Sequence, residues 1–204
     1  DIIMKKSILF IFTACFLFTT SCSDFLDEEH KTKYSSEYVF GTPEGLKLAV
    51  SALYALQRYY ANDTENATIF ALERGTDLAV TNGGTGNFYG IYDPNYLKPS
   101  ASQVGFMWRT MYQIIGKANE IIAAAEDLED TPSLRATVSE AKCFRAQSYF
   151  LLYRTFDRIW LNIQPTTAEN VNDPRDFHAA SEKEVFDLIY EDLEYAITNL
   201  DWVS

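Results

Sequence analysis

The feature that most constrains this 204-residue chain is the spacing of its apolar residues, which return at steps of three and four along several long segments. Because 3.6 residues complete a helical turn, that spacing gathers them on one stripe of an α-helix. The first segment opens with Thr42 as N-cap and Pro43 at the first helical position, places Leu46, Val50, Leu53, Leu56 and Tyr60 on one face, and ends near Tyr60. A shorter helix over about 68–78 is weaker, since Gly75 interrupts it at about 1 kcal/mol relative to Ala. The next long segment, 102–127, carries Val104, Trp108, Met111, Ile115, Ala118, Ile122 and Ala125. Thr131-Pro132 then restarts the chain as a helix through Phe156, with Val138, Ala141, Phe144, Leu151, Leu152 and Phe156 as contacts and both sides partly buried. Ser181 and Glu184 have the spacing of a capping box ahead of Val185, Leu188, Ile189, Leu193, Ala196, Ile197 and Leu200.

No stretch sustains the period-two alternation of a half-buried strand. The expected fold is therefore all-α, built of tetratricopeptide-like antiparallel helix pairs, although no clean 34-residue repeat is visible. Two long stretches fall outside the helical pattern, about 79–101 and 158–180, and loops of that length commonly carry function.

Charge narrows the partners. With 17 Lys and Arg against 29 Asp and Glu, the formal net charge of -12 repels polyanions, so no nucleic-acid partner is expected. The 13 Tyr, 14 Phe and 3 Trp are more ring than a core of this size needs, which leaves some for contact at the surface.

The N-terminus reads as an export signal. Met4-Lys5-Lys6 precedes an apolar run from Ile8 to Phe18, which as a helix would rise about 16 Å, half of the roughly 30 Å needed to span a bilayer. Asp1-Ile2-Ile3 reads as upstream read-through. Thr19-Thr20-Ser21-Cys22 resembles a bacterial lipobox, which makes Cys22 the lipidation site and the first mature residue, though Thr19 stands where many such boxes have Leu. The alternative is an ordinary signal-peptidase site with an unmodified thiol. Loss of Cys15 and acylation of Cys22 would leave Cys143 without a disulfide partner, as a structural thiol in the helix that runs through Phe156. The chain thus divides into a signal peptide (1–21), a lipid-anchored polar tether (22–41) and a helical body (42–204).

Catalysis has little to work with. His30 and His178 are the two histidines, one in the tether and one beside the capping box, so neither zinc spacing nor a serine–histidine arrangement is available. No metal or cofactor is expected. The glycine-rich run 82–87 lacks the Gly-Lys-Ser/Thr end of a phosphate loop, and the carboxylate pairs Asp127/Glu129 and Asp192/Glu194 read as solvated helix surface or turn. Arg145, Arg154 and Arg158 are expected to pair with carboxylates between helices.

Binding is better provided for. Asp77, Asn82, Asn87, Phe88, Tyr89, Tyr92 and Tyr96 gather around flexible glycines as candidate ligand contacts. Such a set suits a sugar, because a ring face stacks on the apolar C–H side of a pyranose while Asn and Asp exchange hydrogen bonds with adjacent hydroxyls. The same rings can instead fold back as a minor core. Trp108 and Arg109 read as packing residues near that loop.

Several pieces, in order, resemble the N-terminal part of the SusD/RagB family of outer-membrane nutrient-binding lipoproteins. They are Ser21 to Asp27; Trp108 and Tyr112 with Ala118-Asn119; Glu140-Ala141 with Arg145-Ala146 and Tyr149-Phe150; and Asp192-Leu193-Glu194 with Ala196. Where members have a Gly-Asp-x-Pro-Leu turn after the long helix, this chain has Asp157-Arg158-Ile159-Trp160-Leu161. The resemblance implies a SusD-like α-superhelix, here an incomplete chain, and a non-enzymatic lipoprotein on the outer-membrane surface. It further implies oligosaccharide cargo handed to a SusC-like TonB-dependent transporter. The alternative is a surface-anchored helical-repeat scaffold that binds proteins or peptides.

Overall fold

The structure is a computed structural model, and it describes residues 35–62, 102–167, 170–174 and 177–200. The chain divides into a unit Asp1–Ser35 and a unit Ser36–Ser204, and every helix below belongs to the second. Among the described residues the elements are α1 (Ser36–Gly41), α2 (Pro43–Asn62), α3 (Ser102–Ala125), α4 (Pro132–Phe156) and α5 (Glu182–Asn199), with no strand. The fold is all-α, as the periodicity predicts. The helix expected over 68–78 lies outside the described residues.

Local chemistry sets the helix ends. Thr42 Oγ1 accepts from the Gly45 N–H at 3.1 Å and donates to the Tyr38 carbonyl at 2.8 Å, so one hydroxyl both caps α2 and ties it to α1, a helix that the spacing had not revealed. The approach there is close: a Cβ on Gly45 would lie 2.2 Å from the Tyr38 carbonyl oxygen. Thr131 Oγ1 accepts from the Leu134 N–H at 3.1 Å ahead of Pro132, which has no amide hydrogen to leave unpaired. At α5 the capping box is complete. Ser181 Oγ accepts from the Glu184 N–H at 3.3 Å, while Glu184 Oε2 accepts from the Ser181 N–H at 2.8 Å. The Ser181 hydroxyl also donates to Glu184 Oε2 at 2.6 Å, and this bond first, with the Ser181 N–H second, holds the Glu184 carboxyl below its usual range.

Contacts between helix ends show that neighbours run antiparallel. Tyr59 near the end of α2 meets Phe106 near the start of α3, Trp108 early in α3 meets Phe156 at the end of α4, and Tyr153 late in α4 meets Phe186 early in α5. The core between them takes Leu46, Val50 and Leu53 from α2, and Met111, Ile114, Ile115 and Ile121 from α3. Ala141, Tyr149 and Leu152 of α4 join Val185 and Ile189 of α5 in the same cluster. Helix α4 is buried on opposite sides because α3 and α5 both pack on it.

Three expectations for the stripes need correction. Trp108 does not sit within the α3 core: it is 36% exposed, and the buried face is centred on Met107, Met111, Ile114 and Ala118. Leu193 and Ile197 of α5 are exposed rather than packed. In a helix with apolar residues on adjacent stripes, spacing alone does not tell which one faces the neighbour.

Past α4 the chain turns sharply. Asp157 has φ 62 and ψ -51, and the Arg158 N–H donates to the Phe156 carbonyl at 2.6 Å, which makes Asp157 the central residue of a γ-turn. Residue 157 is where the resemblance led one to expect Gly, the residue that tolerates positive φ best.

Candidate functional site

A buried ionic cluster lies where α3, α4 and α5 meet. Arg145 Nε donates to Asp192 Oδ2 at 2.7 Å and Nη2 donates to Oδ1 at 2.7 Å, while Lys142 Nζ reaches the same Oδ1 at 2.9 Å. The remaining fork of Arg145, Nη1, donates to Asn119 Oδ1 at 2.8 Å. Asp192 is fully buried, which overturns its reading as a solvated carboxylate paired with Glu194. A carboxylate can be taken out of water here because two cations and good geometry surround it. Of the arginines expected to join helices, Arg145 does so. Arg154 lies over the Phe150 ring, its guanidinium carbon 5.7 Å from the centroid.

The cluster reaches the loop after α4 through Asn119. Its Nδ2 donates to the Asn162 carbonyl at 2.7 Å, and that carbonyl also accepts from the Tyr149 hydroxyl at 2.8 Å. The Tyr149 hydroxyl in turn accepts from the Asn162 N–H at 2.7 Å. Two turns earlier in α3, the Tyr112 hydroxyl repeats the pattern on Trp160, donating to its carbonyl at 2.8 Å and accepting from its N–H at 3.0 Å. Side chains thus replace a neighbouring strand and satisfy the backbone of an extended segment. Burial pushes the hydroxyls of Tyr112 and Tyr149 up from the ordinary tyrosine range. The segment's other anchors are Ile159, 1% exposed, and the bond from the Ala180 N–H to the Ile159 carbonyl at 2.8 Å.

This framework carries a continuous run of rings. Phe156 meets Trp108 edge-on at 5.0 Å, Trp108 lies against Tyr112 at 4.8 Å, and Tyr112 stacks on Trp160 at 6.4 Å with 25° between planes. Trp160 then meets Phe177 at 4.7 Å and 52°. The run ends at Phe177, which is 70% exposed. Sequence reading missed this surface, because Trp160 and Phe177 sit in a stretch without periodicity; the one available signal was the Trp in the turn after α4.

The residues singled out from the sequence as ligand contacts, Asp77, Asn82, Asn87, Phe88, Tyr89, Tyr92 and Tyr96, lie outside the described residues, as does Cys22. His178 is exposed and Cys143 is partly buried, with burial the main cause raising its thiol. Among the described residues no group of three His, Cys, Asp or Glu is arranged to hold a metal ion, and no helix is long and apolar enough to cross a membrane.

The residues that carried the resemblance are therefore largely framework. Asn119, Arg145, Tyr149 and Asp192 hold the helices and the loop together, which gives a physical reason for their spacing. Comparison with known proteins agrees with it. A SusD-like protein of Bacteroides ovatus is 26% identical over 98% of this chain, and the SusD-like protein P38 of Formosa agariphila is 29% identical over 98%. The chain spans 36% and 39% of those relatives' lengths. Among solved structures, a laminarin-binding SusD-like protein superposes with a TM-score of 0.65 at 26% identity, over 76% of this chain and 33% of that one. A structure solved with xylogluco-oligosaccharide shares the fold at a TM-score of 0.59 and 21% identity, over 78% of this chain and 30% of that one. A match over residues 24–203 assigns this chain to the SusD-like family described as starch-binding and associating with the outer membrane.

Proposed function

We propose that this chain is the N-terminal helical part of a cell-surface glycan-binding lipoprotein, anchored to the outer membrane through Cys22 and without catalytic activity of its own. Its cargo is oligosaccharide, which it hands to a SusC-like TonB-dependent transporter. The observation that carries the reading is family membership over nearly the whole body of the chain, together with the likeness to a laminarin binder. The acidic composition fits a neutral cargo better than a polyanionic one. In this reading Phe88, Tyr89, Tyr92 and Tyr96 stack on sugar rings, and Asp77, Asn82 and Asn87 read hydroxyls.

The test is calorimetry of the full-length protein with laminarin- and malto-oligosaccharides. Tyr89→Ala or Tyr92→Ala weakens binding by about 1–2 kcal/mol while the fold survives. Unchanged affinity for every ring variant in the loop refutes the site. Palmitate labelling in the intact bacterium, abolished by Cys22→Ser, tests the anchor.

One observation favours a second reading, a protein-binding scaffold. Tyr190, Leu193 and Ile197 form an exposed apolar stripe on α5. Loss of transporter co-purification in Tyr190→Glu/Ile197→Glu, with sugar affinity intact, would assign that stripe to a protein partner.

A further inference from the structure

Phe177 is an apolar ring, 70% exposed, fixed beside another aromatic ring in a segment whose backbone is tied down on both limbs. We propose that Trp160 and Phe177 form a sugar-stacking subsite, additional to the contacts named from the sequence, which takes the C–H face of a neutral pyranose. The inference rests on the glycan-binding reading above and adds to it a place where the cargo touches the described surface.

The segment's construction is the first argument. Trp160 has no freedom to fold away, since the Tyr112 hydroxyl holds both its N–H and its carbonyl, and the Tyr112 ring backs its indole. The bond from Ala180 to Ile159 draws the second limb alongside the first, so Phe177 comes to rest on Trp160 although 17 positions separate them in the sequence. Rings fixed before the ligand arrives lose little side-chain freedom when it binds.

Shape and charge select the occupant. The two rings touch each other, with centroids 4.7 Å apart, and the face Phe177 leaves in water suits a pyranose, which offers an apolar C–H face to a ring while its hydroxyls turn outward to water. A stable protein interface needs about 800 Å² on each partner, far more than two rings present. The net charge of -12 turns away an acidic polysaccharide.

Calorimetry on the full-length protein with laminarin- and malto-oligosaccharides tests the subsite. Phe177→Ala and Phe177→Leu each lower affinity about five- to tenfold, whereas Phe177→Trp retains it, because the flat face rather than apolar area is what the sugar meets. Thermal unfolding of all three variants stays at the parent value, since the side chain lies mostly in water. If the parent binds these sugars and Phe177→Ala binds them equally well, the subsite is overturned and the glycan reading stands. If the parent binds neither sugar, the glycan reading falls and this inference falls with it. Hydroxyl-radical footprinting that finds Phe177 protected in the ligand-free protein also overturns it, because the chain itself would then cover the face.

Discussion

Arg145 and Asp192, 47 residues apart in sequence, meet as a two-pronged ion pair with both N···O distances at 2.7 Å, wholly inside the helix bundle. The pair joins α4 to α5, and through Asn119 it also fixes α3 and the loop that bears Trp160. Such a pair gains little over an apolar substitute, but either charge left alone in the interior is costly.

Arg145→Met is therefore expected to destabilise the chain by about 3–5 kcal/mol, because it leaves Asp192 with one cation and Asn119 Oδ1 without its donor. Lys142→Met leaves the two-pronged pair in place and costs less. Urea denaturation of the two variants against the parent checks that ranking, and equal losses would refute it.

Asp157 gives a prediction of the opposite sign. Its φ of 62 is a conformation that costs a residue with a Cβ about 1–3 kcal/mol, while a glycine costs about 0.5–1 kcal/mol in extra chain entropy. Asp157→Gly should stabilise by about 1 kcal/mol and Asp157→Ala should not, as read from thermal unfolding.

Gly45 is the converse, a position where the missing side chain is required. Its Cβ would lie 2.2 Å from the Tyr38 carbonyl oxygen and 2.6 Å from the Val39 Cα, backbone atoms that do not yield cheaply. Gly45→Ala is expected to cost about 1–3 kcal/mol by prising α1 off the first turn of α2. Nothing lies within 4 Å of a Cβ on Gly41, so Gly41→Ala serves as the near-neutral control in the same denaturation series.

The pH dependence has a definite direction at Tyr54. Its hydroxyl donates to Glu140 Oε2 at 2.7 Å, and this bond, with burial second, pushes its pKa up from 10.0 to about 12. The folded state thus holds the proton more tightly than the unfolded chain, so the pair's contribution is complete below about pH 10 and disappears between about pH 10 and 12. The effect is small because Tyr54 is 54% exposed. Tyr54→Phe should flatten part of the decline in urea midpoint across that window; an unchanged decline would refute the assignment.

Helix ends were legible in the sequence because capping is local. Thr131 with Pro132, and Ser181 with Glu184, bond within three residues of themselves, so the residue types announce the geometry. The resemblance was legible for a different reason: it rested on Asn119, Arg145, Tyr149 and Asp192, which meet in a buried network, and such a network tolerates few alternatives. The ligand contacts named from the sequence fall outside the described residues.

By itself, then, the sequence determined that the chain is helical, where the main helices begin, and which family it belongs to. Only the tertiary structure decided that Asp192 is buried, that Trp108 and Ile197 face outward, and that Phe177 rests on Trp160. The reason is physical. A carboxylate or a ring has the same local spacing whether it faces water or a partner, and that choice is made by residues far along the chain, which folding alone brings within reach.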